Sequence, residues 1–189
     1  MSQKENYIII ISTNEEECPE DKKHRPSKDV IKRELMDAYD SLTPTDMGGK
    51  KKVNRYYEHK YDIIKFIEDV IEKTKPNTIL IPNPSYNQDH QTVYEACMVA
   101  LRPHDINHYV PIVLMYEVYD YTNWGENQME MNYFKEVDIK AKIRAYRKMK
   151  SQVRSYRSPT DLKRWAETVG KKCKLKYAEG FRVLRWTEY

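Results

Sequence analysis

The stretch Thr78-Ile79-Leu80-Ile81-Pro82, together with the segment that follows it, Asn83-Pro84-Ser85-Tyr86-Asn87-Gln88-Asp89-His90-Gln91-Thr92-Val93, decides the fold. Its first five residues form a continuous apolar run of the kind found in strands that are buried on both faces. A polar loop ending in Asp89-His90 follows, and a helical pattern then begins at Val93. In open α/β sheets, ligands bind beyond the carboxyl ends of the strands. The stretch therefore places His90 where metal chemistry is expected.

Strand and helix patterns alternate on the amino-terminal side of this stretch. The run Tyr7-Ile8-Ile9-Ile10-Ile11 predicts a buried strand, because it is apolar and mostly β-branched. Lys28 to Leu42 predicts a helix with Ser27 as its N-cap, and Tyr61 to Lys73 predicts an amphipathic helix. Between them, Thr43 to Lys52 contains a proline and a Gly-Gly pair and indicates a flexible connection.

The alternation continues on the carboxyl-terminal side. The predicted elements are a helix over Val93 to Leu101, a strand over Val110 to Tyr119, a polar loop over Tyr121 to Asn132, one long helix over Asp138 to Tyr156, a short helix over Leu162 to Val169, and a helical turn from Tyr177 that gives way to a strand at Phe181 to Leu184. Such alternation predicts an α/β fold, a three-layer sandwich with a mostly parallel sheet, in one domain spanning residues 1–189.

Composition and charge exclude several classes of protein. The chain has 189 residues, of which 40% are hydrophobic and 33% charged, so a disordered chain is not expected. Its three cysteines form no Cys-x-x-Cys pair, which excludes a zinc ribbon or disulfide framework and predicts reduced thiols in a cytoplasmic protein. The isoleucine run is too short to span a bilayer. The basic residues between Lys140 and Arg157 fit the solvated side of a helix, so no nucleic-acid partner is expected.

Four groups of short motifs occur in a characteristic order. They are Lys75 to Ala96, Met115-Tyr116-Glu117-Val118 with Thr122-Asn123-Trp124, Lys150-Ser151-Gln152 within Lys142 to Arg154, and Tyr177-Ala178-Glu179-Gly180-Phe181. Together they resemble the PIG-L/LmbE-like family of zinc-dependent N-acetylglucosamine deacetylases, from about Tyr7 to the C-terminus. The resemblance implies a Rossmann-like fold, a zinc cofactor and hydrolysis of N-acetyl groups on a small glucosamine-containing substrate.

The resemblance also implies roles for individual residues. In that family, zinc is held by two ligands from a His-Pro-Asp-Asp motif, whose other Asp acts as general base, and by the last His of a His-x-x-His motif. That last His falls on His90, the predicted metal ligand, and the first falls on Asn87. Asn87, Asp89 and Trp124 are the predicted substrate-binding residues, and no residue is assigned as catalytic. Alternatively, Asn87 only forms a turn, Asp89 only stabilises a helix start, Trp124 only packs, and His90 only hydrogen-bonds to Asp89 or water.

The chain departs from the family in its first motif, because His-Pro-Asp-Asp does not occur in it. In the favoured alignment, Tyr7 to Ile11 is the second family strand and the domain is shortened at its N-terminus, so the first strand is missing. The favouring feature is Arg33 to Leu42, which resembles the helix after that second strand. In the other alignment Tyr7 to Ile11 is the first strand. Glu15-Glu16-Glu17 then belongs to the segment that aligns with the His-Pro-Asp-Asp motif.

Two functions remain open from these residues. The first is an enzyme whose first strand and metal motif come from a partner chain or an upstream segment, since a missing strand leaves costly unpaired backbone groups in a sheet. The second is a catalytically inactive relative that acts as a sugar-binding or protein-interaction module.

Overall fold

The computed structural model describes residues 10–13, 30, 33–34, 36–38, 50–53, 60–103, 108–117 and 128–188. Trp124, the Glu15-Glu16-Glu17 segment and Tyr7 to Ile9 lie outside these residues. By internal contacts the chain forms two compact units. Among the described residues, one unit contains the helical positions between 30 and 38 together with 134–179. The other contains 10–13, 50–53, 60–103, 108–117, 128–133 and 180–188.

The strands among the described residues form two sheets. Strands β1 (Ile10–Thr13) and β2 (Lys50–Val53) form a parallel pair. A four-stranded sheet has the order β3-β4-β6-β5, where β3 is Thr78–Pro82, β4 is Ile112–Tyr116, β5 is Tyr133–Glu136 and β6 is Ala178–Trp186. Strands β3 and β4 run parallel, whereas β4 and β6 run antiparallel. The α/β class is confirmed, with strand pairs of both kinds.

A hydrophobic core joins this sheet to two helices. Helix α1 (Lys60–Thr74) packs against α2 (Gln88–Ala100), and α2 contacts β3. The buried residues of α1 repeat every fourth position, which places them on one face. Core residues from these elements are Ile63, Ile67, Ile71, Ile81, Ala96, Cys97, Ala100, Val113 and Met115. Burial raises the pKa of the Cys97 thiol to about 12, so Cys97 behaves as a small apolar residue.

The helices of the other unit correct the prediction of one long helix over Asp138 to Tyr156. Helix α3 covers only Ile139–Tyr146, and a 3-10 turn follows at Lys150–Gln152. The Tyr146 hydroxyl lies 2.9 Å from the Gln152 carbonyl oxygen and 2.8 Å from that of Arg157. The Tyr146 hydroxyl thus gives backbone carbonyls of the turning segment a hydrogen-bond partner. The helix can end there because these carbonyls do not need helical N–H groups.

Helix α4 (Pro159–Lys172) is longer than the predicted Leu162 to Val169. Its start is a capping box, in which the Ser158 side chain and the Asp161 side chain each bind the other residue's backbone N–H. Pro159 follows the N-cap, a position that proline favours. These capping residues were present in the sequence and mark the earlier start.

Other boundaries also differ from the sequence predictions. Lys50–Val53 is a strand rather than part of a flexible connection, and β5 was not predicted. The predicted turn at Tyr177 is wrong, because Ala178–Trp186 is one strand. Strand β4 covers only the apolar centre of the predicted Val110 to Tyr119. Within the described ranges, no helix has the length and apolar character needed to cross a bilayer.

Candidate functional site

Helix α2 begins earlier than predicted, and this changes the setting of His90. Asn87 is the N-cap: its Oδ1 accepts from the backbone N–H groups of Asp89, at 2.9 Å, and His90, at 3.4 Å. The helix therefore starts at Gln88 rather than Val93, because the Asn87 side chain satisfies N–H groups that a helix start leaves open. Asp89 and His90 lie in the first turn, where Asp89 also suits the helix dipole.

The His90 ring is held by a buried hydroxyl. Ser85 is 0% exposed, and its Oγ lies 2.7 Å from Nδ1 of His90. The same hydroxyl accepts from the backbone N–H of Asn87 at 3.4 Å, and the Ser85 N–H donates to the Asn83 carbonyl at 2.9 Å. Because Nδ1 contacts Ser85, a ligand bound by this ring would be bound through Nε2.

Ser85 was not among the predicted residues of the site. It supplies the hydrogen-bond contact at Nδ1 of the His90 ring. Ser85 precedes His90 by five positions, and neither a regular helix nor a regular strand brings side chains at that separation into contact. Only the compact loop between β3 and α2 brings the two side chains together.

The carboxyl ends of β3 and β4 meet beside this loop. The Asn83 N–H donates to the Tyr116 carbonyl at 2.9 Å, which continues the pairing of the two strands. Asn83 is 3% exposed, and Oε2 of Glu117, which follows β4, is inaccessible to solvent. Buried polar groups therefore lie at the sheet edge where α/β proteins bind ligands.

A cavity of about 190 Å³ opens next to the same loop. Loop residues form part of its wall, and β4, β6, α2 and the segment before β5 contribute the other lining residues. The lining residues are Asn83, Pro84, Tyr94, Met115, Gln128, Met129, Arg182 and Leu184. Tyr94 lies four positions after His90 on α2, one helical turn away on the same face.

The described residues do not provide a zinc site by themselves. Zinc in a catalytic site normally takes about three protein ligands. Among the residues that the structure describes, no three His, Cys, Asp or Glu side chains come together in a way that could hold a metal. Asn87 caps α2 and His90 lies in its first turn, whereas Trp124 and Glu15-Glu16-Glu17 lie outside the described residues.

Comparison with known proteins supports the fold. No protein-family model and no curated protein sequence matches the chain. Among solved structures, N,N'-diacetylchitobiose deacetylase from Pyrococcus horikoshii matches with a TM-score of 0.69 and 16% identity, over 96% of this chain and 73% of that one. The conserved protein TT1542 from Thermus thermophilus matches with a TM-score of 0.68 and 13% identity, over 98% and 84%.

A more distant match is the zinc-inhibited form of teicoplanin deacetylase Orf2, with a TM-score of 0.53 and 17% identity over 78% of this chain and 62% of that one. At identities this low, the TM-scores show a shared fold alone. The chain is therefore an α/β protein whose fold is similar to that of several deacetylases, with a histidine held at the carboxyl edge of the sheet.

Proposed function

We propose that the chain is a hydrolase that removes an N-acetyl group from a glucosamine-containing substrate. The observation that carries this proposal is His90, held through Nδ1 by the buried Ser85 at the carboxyl edge of β3. The fold similarity to deacetylases supports a functional role for this histidine, because ligands bind at that edge in α/β sheets.

The chemistry of amide hydrolysis suits the residues at this edge. A water must become nucleophilic, the carbonyl oxygen must be stabilised as it gains charge, and the leaving nitrogen must receive a proton. A metal bound through Nε2 of His90 would supply the first two of these, an activated water and a polarised carbonyl. Oδ1 of Asn87 is used in capping α2, so we assign its Nδ2 group to the substrate, together with Asp89 and Trp124.

Zinc can be part of this proposal only if some of its ligands come from outside the described residues. His90 would be one ligand, through Nε2. One proposed source of the others is a strand from a partner chain that pairs with β3. Strand β3 lies at the end of the order β3-β4-β6-β5, and its Leu80 is 54% exposed. A parallel strand added there would end beside Asn83 and bring its following residues towards His90.

The test of the proposal is acetate release by the purified full chain. The substrates are N-acetylglucosamine, its 1- and 6-phosphates, N-acetylmuramic acid and N,N'-diacetylchitobiose, each assayed with and without added zinc, and metal content is measured in parallel. We expect acetate from at least one substrate and its loss with a chelator. Absence of acetate from every substrate, with zinc present, would show that the chain alone is not a deacetylase.

Loss of the Ser85 hydroxyl should reduce activity more than stability. We expect Ser85→Ala to lower kcat/KM for acetate release by about 10- to 100-fold, because a group that orients a functional imidazole typically has effects of this size. The metal content should also fall, since the partner of a ligating histidine affects metal affinity.

Thr92→Val is the matched control for this variant. Thr92 is also buried, and its Oγ1 donates to the Gln88 carbonyl at 2.9 Å on the same helix. Both variants lose a buried hydroxyl and about 1 kcal/mol of stability. If Thr92→Val changed activity and metal content as much as Ser85→Ala does, the contact with His90 would have no special role.

A further inference from the structure

The cavity next to the loop between β3 and α2 has one charged residue in its wall. Of the lining residues, Arg182 carries a positive charge, Asn83 and Gln128 carry amides, and no carboxylate is present. A concave surface of this composition, open to solvent on one side, favours a negatively charged group over a neutral one.

Arg182 is available for such a group. It lies on β6, opposite Met115 of β4, and its side chain is exposed. Within the described part of the chain, its guanidinium forms neither an ion pair nor a hydrogen bond. An arginine has five N–H donors in a planar fork that matches carboxylate and phosphate oxygens.

Arg185, three positions later on the same strand, differs from Arg182 because its guanidinium is hydrogen-bonded. Its Nη1 donates to the Val110 carbonyl at 3.1 Å and its Nη2 to the Leu101 carbonyl at 2.7 Å. Its guanidinium also lies 4.9 Å from the centre of the Tyr109 ring. Arg185 is thus engaged in holding the end of α2, whereas Arg182 faces a cavity.

The size and place of the cavity indicate what it holds. A volume of about 190 Å³ has room for about six water molecules, at about 30 Å³ each. Pockets for larger ligands are usually about 300–1,000 Å³, so this cavity suits one substituent rather than a disaccharide. Asn83 and Pro84 belong to the loop that contains Ser85, which places the substituent next to the His90 region.

We propose that this cavity binds an anionic substituent, a carboxylate or a phosphate, on an N-acetylglucosamine-containing substrate, with Arg182 as its principal partner. The identity of the sugar rests on the proposed function, whereas the preference for an anion rests on the cavity itself. The anion would position the acetamido group of the same molecule at the edge that carries His90.

The experiment measures binding separately from hydrolysis. Calorimetric titration of the full chain with N-acetylglucosamine, its 1-phosphate, its 6-phosphate and N-acetylmuramic acid compares a neutral sugar with phosphate and carboxylate derivatives. We expect at least one anionic derivative to bind about tenfold or more tightly than the neutral sugar, the factor that one charge-assisted hydrogen bond supplies. The derivative that binds best distinguishes phosphate from carboxylate. Inorganic phosphate is titrated as a second probe of the cavity alone.

Arg182→Gln should remove this preference. The matched control is Arg164→Gln, which removes the same charge from an exposed position on α4, where Arg164 lies 3.7 Å from Asp161. Equal binding of all the sugars by the unmodified chain, or a preference that persists in Arg182→Gln, would overturn the proposal. Selective binding through Arg182 without acetate release would refute the proposed hydrolysis and leave the anion site standing.

Discussion

Replacing His90 with alanine should lower kcat/KM for acetate release by about 100-fold or more, because loss of a metal ligand should exceed the 10- to 100-fold effect of losing a residue that only orients a ligand. The imidazole lies in the first turn of α2, and its Nδ1 is held 2.7 Å from a hydroxyl that is closed to solvent. Alanine keeps the helix but removes the only imidazole among the described residues at this edge. The assay uses the best substrate of the panel, with zinc content measured on the same samples.

His108→Ala is the matched control. His108 is also partly buried and also uses its ring, with Nε2 lying 3.1 Å from the Pro76 carbonyl oxygen, at the opposite end of β3 from the loop. It should retain normal activity and metal content. If the two variants lose activity equally, the loss reflects general damage and His90 has no particular role. If His90→Ala retains full activity, the proposed site is wrong.

The elements with long and regular patterns could be predicted from the sequence. Thr78–Pro82 forms a strand with the predicted limits, and Lys60–Thr74 extends the predicted helix by one residue at each end. In the helix, Ile63, Ile67 and Ile71 enter the core. In the strand Ile81 does, whereas Leu80 is 54% exposed, so the prediction of a strand buried on both faces was wrong. Lys50-Lys51-Lys52-Val53 has no such pattern, and it is a strand because it pairs with β1, some 40 positions away.

The long helix predicted over Asp138 to Tyr156 failed for a related reason. Its apolar residues have helical spacing throughout, but the chain turns after Tyr146, whose hydroxyl contacts two carbonyl oxygens of the returning segment. The Ser151 N–H is bound by the carboxylate of Glu34, more than a hundred positions earlier. Contacts of this kind override local periodicity and are not visible in a single sequence.

The candidate site was predictable in part. Its location followed from a buried strand that runs into a polar loop, and His90 and Asn87 were identified there. The role of Asn87 as an N-cap is a local signal that the sequence does contain. Ser85 and Arg182 could not be identified, since the first depends on the shape of a loop and the second on the register between β4 and β6.

Replacing Ile63 with alanine should lower the free energy of unfolding by about 2–5 kcal/mol. Ile63 is 0% exposed and belongs to the core cluster that joins α1, α2 and the sheet. The substitution removes buried apolar surface and leaves a cavity that the surrounding side chains fill only in part. Because whole domains are stable by about 5–15 kcal/mol, this one change would remove a large share of the total.

Tyr61→Ala on the same helix is the control that distinguishes the effect of burial on stability from the effect of side-chain size. Tyr61 is larger than Ile63 but 69% exposed, so its removal should change stability by no more than about 0.5 kcal/mol. Urea unfolding followed by circular dichroism gives both values, and unchanged m-values would show that the same surface is exposed in each variant. Equal losses at the two positions would mean that the Ile63 face of α1 does not pack into the core. That result would also remove the packing on which α2, and with it the position of His90, depends.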